Sequence, residues 1–110
     1  MAIDSKSKRL TLQEILEGIL IKMGVKPNVY FQPPESIKMH YPAIRYNLND
    51  MHDKKADDNT YYRKKNYTIT IIDRDPDSSI PEEVLKLPYC SFGNFYIGDN
   101  LNHWVLTLYF

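Results

Sequence analysis

Cysteine, tryptophan and glycine are scarce in this 110-residue chain, which holds one Cys, one Trp and four Gly. A lone Cys90 excludes an intramolecular disulfide and a cysteine-rich zinc site, and it suits a reducing cytoplasm. The few glycines form neither a P-loop nor a dinucleotide fingerprint, so nucleotide chemistry is not expected. Excess charge of one sign is also missing, because 14 Lys and Arg balance 14 Asp and Glu. That removes the broad basic field by which many proteins attract nucleic acid and leaves room only for a local patch. No apolar run approaches the roughly 20 residues that span a bilayer. The polar stretch Met1 to Leu10, with Lys6, Lys8 and Arg9, lacks the apolar segment of a signal peptide. The expectation is a soluble protein with no membrane partner.

What is present is enough for a core. Apolar residues make up 43% and charged residues 25%, ordinary globular values for a single domain over 1–110. Residues 1–9 read as a flexible leader. Thr11, Leu12, Gln13 and Glu14 have the form of a capping box, and Leu10 with Ile15 that of a hydrophobic staple, so the first helix is expected to start at Thr11. Leu12, Ile15, Leu16, Ile19, Leu20 and Met23 recur at helical spacing and define a buried stripe. Gly24 and then Pro27 end the helix.

Strand signals follow. Asn28 to Gln32 reads as a short strand stopped by Pro33 and Pro34. Ala43 to Leu48 alternates Ile44, Tyr46 and Leu48 with Arg45 and Asn47, the pattern of a strand with one wet face. Residues 49–60 turn almost wholly polar and read as a projecting hairpin loop. Tyr61 to Asp73 is a long strand with Tyr67, Ile69 and Ile71 on one face. Pro81, Glu82 and Glu83 open a short second helix, capped by Ser79 or Ile80 and ended by Pro88. Gly98, Asp99 and Asn100 mark the turn of a closing hairpin. Its last strand carries Trp104, Leu106, Leu108 and Phe110 on one face and Val105, Thr107 and Tyr109 on the other, so it is expected to be central or covered on both sides. The fold class is therefore α+β, in the order α-β-β-β-α-β-β. A curved, mainly antiparallel sheet of about five strands carries both helices on one face.

Candidate chemistry is thin. Asp73, Asp75 and Asp77 at a strand end are the best oxygen ligands for a divalent metal, as a small metal-dependent nuclease would need. Asp, Pro and Ser are also what a strand-to-helix turn contains, and the Gly and distal Glu of a calcium loop are missing. His40, His52 and His103 stand in no ligand spacing. Nothing around Cys90 marks an activated thiol, and a core position suits it better. No catalytic residue, metal or cofactor is assigned.

Tyrosine is abundant, with nine in the chain. It is a strand former, and it is also enriched at protein interfaces because it combines contact area with a polar tip. Tyr61 and Tyr62 beside Arg63, Lys64 and Lys65 have the make-up of a single-strand nucleic-acid platform, but neighbouring aspartates and the neutral balance oppose it.

The element order, the run Leu87-Pro88-Tyr89-Cys90-Ser91-Phe92 and the run Asp99-Asn100-Leu101-Asn102-His103-Trp104 resemble the tail-terminator, or tail-completion, proteins of long-tailed bacteriophages and prophages. The likeness covers Leu10 to Phe110 and rests on architecture, since that family has no catalytic signature. It implies a structural virion protein of the tail-neck junction, assembled in the bacterial host cytoplasm. Copies would form a ring, a hexamer in that family, that caps the tail tube, ends its polymerisation and receives the head-neck connector. Its partners would be itself, the major tail tube protein and the connector protein, with DNA only passing through. The family's long hairpin loop maps onto 49–60, which makes Asp50, Asp53, Lys54, Lys55, Asp57, Asp58, Tyr61 and Tyr62 the expected contacts to subunits or tube. Another head-tail connector or adaptor protein is the alternative within the same class.

Overall fold

The computed structural model describes residues 7–55 and 61–110, with the backbone alone for 50–55 and 61–63. Helix α1 spans Lys8–Lys22 and starts a turn before the expected Thr11. Ser7 is the cap: its Oγ accepts the Leu10 amide at 3.1 Å, and the Thr11 hydroxyl donates back to the Ser7 carbonyl. Thr11 is thus spent inside the first turn, and the capping box read from Thr11 to Glu14 does not form. Lys8 and Arg9, expected in the flexible leader, are helical; residues 1–6 lie outside the described part. The other end is as expected. Gly24 takes φ 81°, its amide donates to Ile21 O, and the Val25 amide donates to Leu20 O. This paired arrangement satisfies two orphan carbonyls and needs the left-handed backbone that glycine adopts freely.

The sheet has five strands in the order β1-β2-β3-β5-β4. Strand β1 (Val29–Phe31) runs parallel to β2 (Ala43–Lys55), pairing Val29 to Phe31 with Ile44 to Tyr46. All other neighbours are antiparallel. Strand β3 (Tyr61–Asp73) is the long central strand. Helix α2 (Ile80–Leu85) leads into β4 (Cys90–Gly98), which pairs with the last strand, β5 (Leu101–Tyr109). The order α-β-β-β-α-β-β and the α+β class agree with the sequence reading.

Leu12, Leu16 and Leu20 of α1 are fully buried. They share one core with Ile44, Tyr46, Tyr67, Ile69, Ile71, Leu106 and Leu108 of the sheet and with Ile80 and Val84 of α2. Each such leucine contributes about 1.5–3 kcal/mol by leaving water. Inside the core, Tyr46 lies between Phe31 and Tyr67, with ring centroids 4.9 and 5.8 Å away. The Tyr46 hydroxyl donates to Gln13 Oε1 at 2.6 Å. Gln13 Nε2 in turn donates to Val29 O and to Glu17 Oε2, so the buried phenol's demand is passed along to β1 and the helix surface. Ala43, Thr70 and Ile72 are buried on the opposite face of the sheet.

Within the segment expected to be a loop, residues 49–55 are strand instead, and residues 56–60 lie outside the described residues. Beyond a register shift between Leu48 and Asp50, β2 goes on pairing with β3 to Lys55↔Tyr61. A ladder is held by backbone hydrogen bonds and needs no apolar side chains, so polarity misplaces the strand end. Asn49 Nδ2 also donates to Thr68 Oγ1 at 2.6 Å beside the shift.

Candidate protein-protein interface

Of the expected contact residues, Asp50, Asp53, Lys54 and Lys55 lie on β2, and Tyr61 and Tyr62 lie on β3. The ladder sets Lys54 opposite Tyr62, Lys55 opposite Tyr61 and Asp53 opposite Arg63. They share one two-stranded arm, extended by the backbone itself. Asp57 and Asp58 lie outside the described residues.

The most distinctive surface is elsewhere, on β4. It is an edge strand of nine residues whose only sheet neighbour among the described residues is β5. Edge strands are usually guarded by charge, proline or brevity, because their unpaired backbone groups recruit other strands. From Leu87 to Gly98 there is no charged side chain, and β4 contains no proline.

Its shape follows from two local devices. Asp99 and Asn100 take φ 53° and 63°, the two positive values of a type I′ turn, which matches the twist of the flanking strands. Further back, the register shifts between Phe92 and Asn94, so Gly93 is an extra residue. Phe92 then faces Leu106 while Phe95 faces Trp104, two residues apart on β5. Without the bulge, Phe92 and Phe95 would fall on opposite faces. With it, Phe92, Phe95 and Ile97 all stand on the face that carries the helices. They are 53%, 41% and 67% exposed. Phe95 rests against Trp104 at 5.3 Å between centroids. On the other face Tyr96 stacks on His103 at 4.4 Å.

The exposed zone continues around the base of the strand. Tyr89, at φ 62°, is 68% exposed, and Lys64 Nζ lies 4.9 Å from its ring centre. Tyr89, Tyr109 and Phe110 line an open, mainly apolar cleft of about 290 Å³ with Ile15, Leu87 and Pro88, and Lys8 and Lys64 also border it. Burial raises the pKa of the Cys90 thiol at the start of β4, which favours the unreactive protonated form.

The acids of the β3-to-α2 connection have local duties. Asp73 Oδ1 accepts the Asp75 amide, and Asp75 Oδ1 accepts the Asp77 amide, as in Asx turns. Among the described residues, no three His, Cys, Asp or Glu side chains are grouped to hold a metal ion. No described helix is long and apolar enough to cross a membrane.

The reading from sequence missed β4 as a surface. It registered Tyr89, Tyr96 and Tyr109 one at a time. The usable signal was the uncharged run from Leu87 to Gly98, which contradicts what an edge strand requires. Comparison with known proteins finds no matching family model, no matching curated protein and no matching solved structure.

Proposed function

We propose that this protein is a structural assembly subunit without catalytic chemistry, which caps a phage tail tube in the manner of a tail terminator. Copies associate into a ring, end polymerisation of the tube and join the tail to the head-neck connector, while DNA passes through. The observation that carries this reading is the unguarded β4 edge with Phe92, Phe95 and Ile97 exposed beside it. Exposed apolar groups contiguous with an open edge favour association with protein, since both are liabilities in a free monomer.

The α+β body fits the helix-on-sheet architecture that the sequence resemblance implied, although residues 49–55, where the resemblance placed a loop, are strand. The arm supplies reach toward tube or neighbour, and β4 supplies adhesion. The test is direct: negative-stain microscopy and sedimentation of the purified protein. Closed rings support the proposal. A monomer at all concentrations, or magnesium-dependent cleavage of DNA, refutes it.

A further inference from the structure

Building on the reading of this chain as a self-associating subunit, we propose that the open edge of β4 is completed by the distal part of β2, Asn49–Lys55, of a second copy. One edge from each side of the sheet then joins head to tail.

The strand order places β4 at one end of the sheet. At the other end β1 covers β2 only from Ile44 to Tyr46. Gln32 then leaves the ladder at φ 46°, and its side chain accepts the Leu48 amide at 3.1 Å. Pro33 and Pro34 follow, and proline offers no amide to a neighbour. The β1 side is therefore closed. Beyond it, from Asp50 to Lys55, β2 pairs with β3 alone among the described residues.

Among the described residues each copy thus carries open edges on both sides of one sheet: β4 and the 61–63 end of β3 on one side, and the β2 arm on the other. A two-fold β4-to-β4 contact closes after two copies and leaves both arms open. Head-to-tail joining satisfies the β4 edge and the β2 edge on every copy, and such heterologous contacts generate rings when the rotation closes. Charge fits as well. The arm carries Asp50 and Asp53 against Lys54 and Lys55, while β4 has no charge to repel either sign.

The turn fixes which backbone groups are on offer. A two-residue turn closes on a hydrogen-bonded pair, here Gly98 and Leu101, and the pattern alternates from there. Tyr96 therefore bonds to β5, while the amides and carbonyls of Phe95 and Ile97 point outward. Phe92, Phe95 and Ile97 add roughly 300 Å² of exposed surface, at about 150–250 Å² per large side chain. That is a fitting apolar centre for a contact of about 800 Å² per partner.

The test uses the full chain. Ile97→Pro removes an outward amide and leaves the β5 ladder intact; Phe92→Lys charges the same edge. Circular dichroism checks folding, and sedimentation velocity reads assembly. At least a tenfold weakening of self-association in each folded variant is expected. A photo-crosslinking benzoylphenylalanine in place of Ile97 should attach to the 49–55 peptide of another copy. Should Ile97→Pro misfold, Phe92→Lys and the crosslink still decide. Variants that assemble like the parent, or a crosslink into β4 or elsewhere, overturn the edge pairing while self-association itself stands. A parent chain that never associates overturns both.

Discussion

A Cβ built on Gly93 lies 3.0 Å from the carbonyl oxygen of Val105. That oxygen belongs to β5, a strand paired on both sides, so it has little freedom to retreat. The contact ties one glycine to the register of the whole edge, because the extra residue is what turns Phe95 to the side of Phe92.

Gly93→Ala is accordingly expected to destabilise the protein. Overpacking costs about 1–3 kcal/mol, and the reduced freedom of the unfolded chain returns about 0.4–1 kcal/mol. The net loss, about 1 kcal/mol, should appear as a lower urea midpoint with an unchanged slope. An unaltered midpoint would mean that the bulge accepts a side chain.

Buried Tyr46, bonded to half-buried Gln13, makes a pH prediction. Burial raises the Tyr46 phenol pKa above its ordinary value, outweighing Arg9 beside it, which lowers it. Tyr67 is raised as well, again chiefly by burial. A raised pKa means that the folded state holds the proton more tightly. The contribution to stability is complete below about pH 10 and is lost as pH climbs through the folded value. Tyr46→Phe should cost about 1 kcal/mol at neutral pH by deleting the bond to Gln13, yet decline less steeply above about pH 10. Parallel alkaline curves for parent and variant would count against this.

Leu16 sits mid-helix and is fully buried. Leu16→Ala removes its contacts with the sheet and should cost about 2–5 kcal/mol in chemical denaturation. Ile21→Ala is the contrast, since Ile21 is 60% exposed on the same helix and the change should stay within about 0.5 kcal/mol. Equal losses at the two positions would show that the stripe is wrongly assigned.

Cys90 should behave as a partly buried thiol whose pKa is raised by desolvation. Modification by a neutral thiol reagent near pH 8 is expected to run slower than in the urea-unfolded chain. Rapid labelling of the folded protein would instead point to an activated thiolate.

Most of the fold was legible because local signals and burial agree. The stripe Leu12, Leu16 and Leu20, the cap at Gly24, the strand Tyr61–Asp73 and the turn at Asp99 and Asn100 each carry their own chemistry. Two boundaries were misread for physical reasons. Ser7 competes with Thr11 for the cap and takes the Leu10 amide. Strand β2 runs on through polar residues because pairing with β3 is indifferent to side-chain polarity. The candidate interface was harder to see. The apolar weight on both faces of Trp104 to Phe110 marks the last strand as internal, as it is, but that β4 is left at the edge depends on contacts far apart in sequence. The Gly93 bulge likewise becomes visible only against its partner Val105.

The most direct measurement of the proposed role is electron microscopy of particles assembled without this protein. The account predicts tails of uncontrolled length together with tailless heads. Particles of normal length that remain joined and infectious would contradict it.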